Sequence, residues 1–288
     1  MDTNVRQSNL KVNVEGVVSE NALEKKVEDG MTKITGYLTV KTSDINFVRF
    51  NVNINEKTKA GAENKAFAGI ETVMNEYKSI ADVGEDQADR VRVSGDINLY
   101  RSQNGNDVIS YKSNFFNRVK DNYNPHAEFS AETYINAIVP EMDSEGNETG
   151  RVIVKGWSIT YNGAEAIAFV ADKDLADAIT STFEVGQTVE FYGDLVNNKI
   201  EKITEIPVAI GKPKTKVETT YKNELLITGA SAPYEDGVTP ELPYEASVIN
   251  AAVQERENRI AEAKANAQNK ANSAAKPSGA AHGRTLGF

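Results

Sequence analysis

The sequence predicts a mainly β protein, with two small barrels in tandem, each carrying one helix, and then a C-terminal helix and a flexible tail. Two observations predict this class. Short stretches of alternating apolar and polar residues recur along the chain, and the second half repeats the order of elements found in the first. A chain of 288 residues also has room for about two domains. We expect the first domain at 1–127, the second at 128–231, a linker and helix at 232–271, and the tail at 272–288.

Five short strands and one helix are expected in the first domain. The helix is predicted at 63–81, where apolar residues recur at helical spacing. The last two strands are joined by the segment Ser-Gln-Asn-Gly-Asn, and Asn-Gly between alternating stretches is a strong hairpin signal. The strands are predicted at 12–18, 34–40, 47–54, 90–101 and 107–116.

The second domain repeats this plan. A short helix is predicted at 173–183, again after the third strand, and a longer one at 245–271 follows the domain. The last two strands are expected to pair across Asn197-Asn198, and residues 217–231 to add one or two more. The five strands are predicted at 132–140, 151–161, 164–171, 187–196 and 199–206.

Two local matches indicate a duplication. Gly36-Tyr37 corresponds to Gly156-Trp157, and Gly95-Asp96 corresponds to Gly193-Asp194 in the same order, with a helix between the two matches. Five strands with a helix between the third and the fourth are the plan of the OB-fold, a small Greek-key barrel. A glycine inside a strand suits a barrel corner, where the chain bends sharply. Ferredoxin-like or β-sandwich units are the alternative, and they would need two helices or at least seven strands per domain.

Composition excludes several kinds of chemistry. The chain has no cysteine and two histidines, so disulfides, thiolate catalysis and Cys-based metal sites are absent. It contains no phosphate-binding loop, nucleophile elbow or zinc-protease motif. We therefore expect no enzyme, no cofactor and no metal. Since neither a signal peptide nor an apolar run long enough for a membrane is evident, a cytoplasmic protein without membrane contact is expected.

The acidic excess lies in one part of the chain. Residues 1–127 hold 17 basic and 18 acidic side chains, whereas residues 128–210 hold 5 and 15. The net charges of these two segments are thus 17 − 18 = −1 and 5 − 15 = −10. Binding of a polyanion depends on the local field over a groove, so we expect any nucleic acid to contact the first domain.

Strand alternation gives the first domain an outward face that mixes aromatic and basic residues. Bases of single-stranded nucleic acid stack on aromatic rings whatever their identity, while Lys and Arg contact the phosphates. This face is therefore the predicted nucleic-acid site. Its members are Tyr37, Lys41, Phe47, Arg49, Arg92, Tyr100, Lys112, Phe116 and Arg118.

The matching face of the second domain differs. Trp157 and Tyr161 stand where Tyr37 and Lys41 stand in the first domain, and basic residues are scarce. An apolar outward patch in an acidic domain favours a contact with protein, either the first domain or another subunit, and stacking of a base on Trp157 is the alternative.

The run 90–116 resembles the fourth and fifth strands of bacterial and phage single-stranded DNA-binding proteins, and phage-encoded members most. It carries the Val-x-Val-x-Gly stretch that ends at Gly95, a polar hairpin with Asn104-Gly105, and a strand that ends in aromatic residues. The resemblance implies an OB-fold that protects single-stranded DNA in phage replication or recombination, in the host cytoplasm. The acidic C-terminal tip of that family is missing, because the last 18 residues contain no Asp or Glu.

Two hypotheses follow. The first is sequence-tolerant binding of single-stranded DNA, with replication or recombination proteins as candidate partners of the C-terminal helix or tail. The second is a structural or assembly protein, such as a virion component built of β-domains.

Overall fold

The computed structural model describes residues 5–102, 104–206 and 214–274. Within them, eleven strands form one sheet that closes on itself twice, giving two rings that follow each other along the chain. The mainly β class and the two OB-like barrels are thus confirmed. The predicted tail starts inside a helix, since residues 272–274 are still helical, and 275–288, with Leu286 and Phe288, lie outside the described residues.

The first ring closes in the order one, two, three, five, four, with the third and fifth strands parallel and all other neighbours antiparallel. Its inward side chains are the apolar members of each alternating stretch, and the largest of them, Phe50, is fully buried. The strands are β1 (Leu10–Glu28), β2 (Met31–Lys41), β3 (Phe47–Asn55), β4 (Arg90–Arg101) and β5 (Asp107–Lys112), with a short β6 (Phe116–Arg118) on the edge of β4.

A helix connects β3 to β4, as the sequence predicts, but it is shorter than expected. Helix α1 (Lys65–Glu76) starts at Asn64, whose side chain accepts a hydrogen bond from the Ala66 N–H. It ends before Tyr77, where Asn21 Nδ2 donates to the carbonyls of Val73 in the last turn and of Tyr77 just after it. The rest of the predicted helix is one separate turn, α2 (Ile80–Val83).

The second ring repeats the closure of the first, again with a parallel pair between its third and fifth strands. Helix α3 (Lys173–Thr182) lies between its third and fourth strands. The strands are β7 (His126–Met142), β8 (Glu148–Thr160), β9 (Gly163–Ala171), β10 (Thr188–Ile206) and β11 (Lys214–Ala230).

The predicted pairing across Asn197-Asn198 is wrong. Strand β10 runs straight through both residues, and its partner is β11, with Asn197 opposite Asn223. Asn197 stays extended because its N–H donates to Asn46 Oδ1 of the first ring. The fifth strand is therefore the segment expected only as an addition, and residues 199–206 with 214–222 form a protruding two-stranded arm.

The glycines that indicate duplication occupy corresponding strands, the second and the fourth of each ring. A Cβ on Gly36 would lie 2.1 Å from the Ala22 carbonyl oxygen, and one on Gly193 would lie 2.1 Å from that of Leu226. Such contacts are far inside van der Waals range. Both positions therefore require glycine, as expected where a strand bends around a barrel.

The two rings are joined by backbone pairing. Residues Lys11 to Glu15 of β1 pair with β4 on one side and with β7 on the other. The last helix, α4 (Ala246–Ala274), packs its Ile249 on the outside of the second ring. In the described part of the chain, no helix is both long and apolar enough to cross a membrane.

Candidate nucleic-acid interface

A groove of about 520 Å³ separates the outward face of the first ring from the arm. One wall is the β2–β3 face with Phe47 and Arg49, and the other is the base of the arm with Lys199 and Tyr221. The outward face of β5 forms the floor. We call this space the groove.

The arm is held over the first ring by hydrogen bonds to the backbone of β10. Asn46 Nδ2 donates to the Leu195 carbonyl over 3.0 Å, and Asn46 Oδ1 accepts from the Asn197 N–H over 2.7 Å. The Lys199 N–H donates to the Ile45 carbonyl over 2.7 Å. Because these contacts come from the loop between β2 and β3, the loop sets the spacing between the two walls.

One wall combines a ring, a cation and polar donors. The Arg49 guanidinium carbon lies 3.9 Å from the centre of the Tyr37 ring, a cation–π contact. The Tyr37 hydroxyl donates to Glu20 over 2.8 Å, and this hydrogen bond, together with burial, raises the pKa of Tyr37. Tyr37 is therefore a fixed neutral phenol that orients Arg49.

The opposite wall supplies a second ring and cation. Tyr221 of β11 is 66% exposed and lies directly across the arm from Lys199 of β10. Lys199 forms an ion pair with Glu201 over 2.6 Å. Asn197 and Asn223, one step nearer the barrel, add amide groups that can bond to base edges.

The groove continues along the first ring into a wider depression of about 820 Å³. Asn51 and Ser110 line both spaces. Lys112 and Phe115 line the depression, and Phe115 is 64% exposed. The polar path thus extends from the arm to the end of β5.

The structure brings four of the predicted site residues to this path. Phe47 and Arg49 line the groove, Tyr37 contacts two of its lining residues, Arg49 and Glu20, and Lys112 lines the depression. Tyr100 is 43% exposed on the outward side of β4, beside the β4–β5 hairpin and away from the groove walls.

Three predicted cations are engaged elsewhere. Lys41 binds Glu85 over 2.9 Å, and this hydrogen bond raises its pKa despite partial burial. Among the described residues, by contrast, Arg49 and Lys112 make no ion pair.

Arg92 and Arg118 are the other two. Arg92 Nη2 contacts the fully buried carboxylate of Glu15 over 2.6 Å. Arg118 binds Asp89 over 2.9 Å and covers the Tyr77 ring. Since each of these arginines neutralises a carboxylate, neither is poised for a phosphate in this conformation.

The outward position expected for Phe116 is wrong. Its ring is 6% exposed and packs edge-on against Phe50, with 6.1 Å between the ring centres. Strand β5 ends at Lys112, and Ser113 Oγ donates to the Ser94 carbonyl and accepts from the Phe115 N–H. This turn breaks the alternation, so Phe115 faces outward and Phe116 faces inward.

Trp157 is covered by the chain's own C-terminal helix. It packs with Tyr244 and Ile249, and the guanidinium of Arg256 lies 5.5 Å from its ring. Arg256 is buried and pairs with Glu165 and Asp107. The contact with protein expected here is thus intramolecular.

Tyr161 is not part of this cluster. It lies in the turn after β8 and is 87% exposed. Residues outside the predicted site also line the path, namely Lys199, Tyr221 and Phe115. The alternation of 199–206 and 217–223 carries a signal for the first two, but the sequence pattern of Asn197-Asn198 predicts a turn there.

Within the described ranges, no group of three or more His, Cys, Asp or Glu side chains could hold an ion.

Comparison with known proteins identifies one family and one similar fold. A family model described as YorF matches residues 9–266. Two crystal structures of the single-stranded DNA binding protein from Thermus aquaticus are similar in fold, a deletion mutant and the wild type. Both have a TM-score of 0.48 and cover 82% of this chain. The deletion mutant is 10% identical and matches over 99% of its own length, and the wild type is 8% identical and matches over 98%. No curated protein matches the sequence.

Proposed function

The chain belongs to the YorF family, and we propose that it binds single-stranded DNA without sequence preference, in the groove between the first ring and the arm. One observation carries the proposal. Two opposed walls each present an aromatic ring beside a cation, Phe47 with Arg49 and Tyr221 with Lys199, whose ion pair with Glu201 is solvent-exposed and therefore weak.

The location of the groove supports this function. In OB-folds, the face of the second and third strands, together with the neighbouring loops, binds oligonucleotides. Here β2 and β3 form that face, and the arm adds a second wall. Rings stack on any base, so the chemistry is tolerant of sequence. The amides of Asn51 and Asn197 offer donors and acceptors to unpaired base edges, which are hidden within a duplex.

The cations differ in whether a carboxylate of the chain already pairs with them, and this difference narrows the proposed site. Arg49 and Lys112 supply the phosphate contacts, Phe47, Tyr221 and Phe115 are the stacking surfaces, and Tyr37 orients Arg49. Lys41, Arg92 and Arg118 act instead in the stability of the first ring, because their partners are carboxylates of the chain itself. The protein is proposed as a binding protein with no catalytic site.

The test is binding of a labelled oligo-dT of about 16 nucleotides, compared with its duplex and with oligo-rU, by fluorescence anisotropy. We expect the single-stranded DNA to bind tightly at about 50 mM salt and more weakly at about 200 mM. Arg49→Ala should weaken binding about 5- to 100-fold and lower the salt slope by about 0.7, the share of one phosphate on a single strand. Lys155→Ala, an exposed cation on β8, is the matched control.

The outcomes separate the candidate functions. Absence of binding at low salt would reject the proposal, and tighter binding of oligo-rU would reassign the site to RNA. Equal binding of duplex would indicate a general polyanion surface. The alternative role as an assembly protein predicts a large defined oligomer without affinity for nucleic acid.

The role in phage DNA replication or recombination stays a prediction, as does recruitment of partner proteins by the C-terminal helix. A pull-down with the full chain and with a variant ending before α4 would test the second point.

A further inference from the structure

We infer that the strand path continues beyond the first ring to a second contact site on the second ring, formed by Tyr161 and Arg259. The inference rests on the proposed function, because it extends the path of the same ligand, single-stranded DNA. The second site lies on a different face from the groove, because α4 covers the face of the second ring that corresponds to the groove.

The first argument is the continuity of the surface. Lys11 and Lys112 line both the depression beside β5 and the next concave region, where the N-terminal segment crosses between the rings. That region shares Gln7 and Tyr161 with a fourth, which reaches Arg259 of α4. The walls of the last two regions are mostly polar, as a path for a hydrated phosphate chain requires.

The second argument is the presentation of Tyr161. Its ring is 87% exposed, yet the turn that carries it is held firmly. The Asn162 N–H donates to Thr160 Oγ1, and Thr160 Oγ1 donates to the Gly163 carbonyl, both over 3.1 Å. An exposed ring on a fixed backbone loses little entropy when a base stacks on it.

The third argument is the cation next to this ring. The Arg259 guanidinium lies against the turn, with Nη2 3.3 Å from the place of a Cβ on Gly163. In the part of the chain that the structure describes, Arg259 makes no ion pair. Gly163, at φ +99°, leaves the room that the guanidinium occupies. Tyr161 and Arg259 thus place an exposed ring and a cation on the same concave region.

Acidic residues limit the path without closing it. Asp96 lies between the two rings but is neutralised by Lys11 over 2.7 Å. Glu255 borders the far end. We therefore expect the second site to add to the affinity for a strand already held in the groove, and to bind weakly by itself.

The test is a length series of labelled oligo-dT, from about 6 to about 30 nucleotides, because one OB-fold covers about 4–16 nucleotides. Tyr161→Ala should leave the affinity for the shortest oligonucleotide unchanged and weaken binding of the longest about 5- to 100-fold, the value of one stacked base. Arg259→Ala should lower the salt slope for the longest oligonucleotide only, by about 0.7. Tyr192→Ala and Lys155→Ala, on exposed strand positions away from the path, are the matched controls.

A second measurement reports on Tyr161 directly. Trp157 is the single tryptophan, so a Trp157→Phe, Tyr161→Trp variant places the only indole at the second site. Its fluorescence should be quenched by long and not by short oligo-dT. If the wild type binds both lengths and neither Tyr161→Ala nor the indole responds to length, the second site is rejected while the proposed function stands. If the wild type binds neither length, the proposed function fails as well.

Discussion

The two rings share one plan and differ in what covers the same face. In the first ring, Tyr37 follows a corner glycine of the second strand and borders an open groove with Arg49. In the second ring, Trp157 follows the corresponding glycine, and helix α4 covers it with Arg256. An aromatic ring beside an arginine therefore borders an open groove in one ring and anchors a helix in the other. The difference is that carboxylates pair with Arg256, whereas no carboxylate among the described residues pairs with Arg49.

A second correspondence supports the duplication. Val12 pairs with Gly95 and Phe129 with Gly193, so Glu15 and Glu132, three residues further on, occupy equivalent positions. Both carboxylates are buried and each binds an arginine, Arg92 in the first ring and Arg6 in the second. The partner comes from a different element in each ring, because the residue opposite Glu132 is itself acidic, Glu190.

The largest expected effect contrasts the two aromatic residues. Trp157→Ala should lower the free energy of unfolding by about 3 kcal/mol, because it removes the ring on which α4 packs. Tyr37→Ala should cost about 1 kcal/mol, the value of its hydrogen bond to Glu20. Urea unfolding of both variants measures the difference. Equal losses of stability would contradict the contrast between a covered and an open face.

The next effect contrasts two arginines of the first ring. Arg92→Ala should destabilise the protein by about 2 kcal/mol, less than the loss of a fully buried pair because Arg92 is half exposed, and should leave DNA affinity unchanged. Arg49→Ala should change stability by less than about 0.5 kcal/mol. Unfolding and anisotropy measurements on the same two samples give both quantities. If Arg92→Ala lowers the affinity for DNA and leaves the stability unchanged, Arg92 belongs to the DNA-binding site.

The smallest effect concerns pH and the buried Glu15. Burial raises its pKa, but hydrogen bonds from the Asn124 N–H and Arg92 outweigh this and hold the pKa of Glu15 below its usual value. The charged form therefore stabilises the fold fully above the unfolded-state pKa of about 4.3, and this contribution is lost as the pH falls through the lower folded-state value.

The matching experiment compares wild type with Glu15→Gln. Their difference in unfolding free energy should be largest near pH 7 and should shrink below about pH 4. Glu148→Gln, at the exposed first residue of β8, should show no such trend. A difference for Glu15→Gln that stays constant with pH would show that the charge of Glu15 contributes nothing.

The sequence by itself determined the strands, the helices and the inward face of the first ring. Val48, Phe50, Val52 and Ile54 are all buried, as their alternation predicts. Alternation is a local property of an extended chain, so it can be recognised in the sequence without knowing which strands pair. The same holds for α1, whose apolar spacing needs only its own turn, although its end depends on the remote Asn21.

The tertiary structure alone decided which strands pair, which cations stay available and which rings are covered. Asn197 is extended because Asn46, 151 residues away, accepts its N–H. Lys41, Arg92 and Arg118 resemble Arg49 in sequence, but carboxylates distant along the chain neutralise them. Hydrogen bonds and ion pairs depend on distances in space, and a linear pattern contains no such distances. The groove with its two walls therefore exists only in the folded chain.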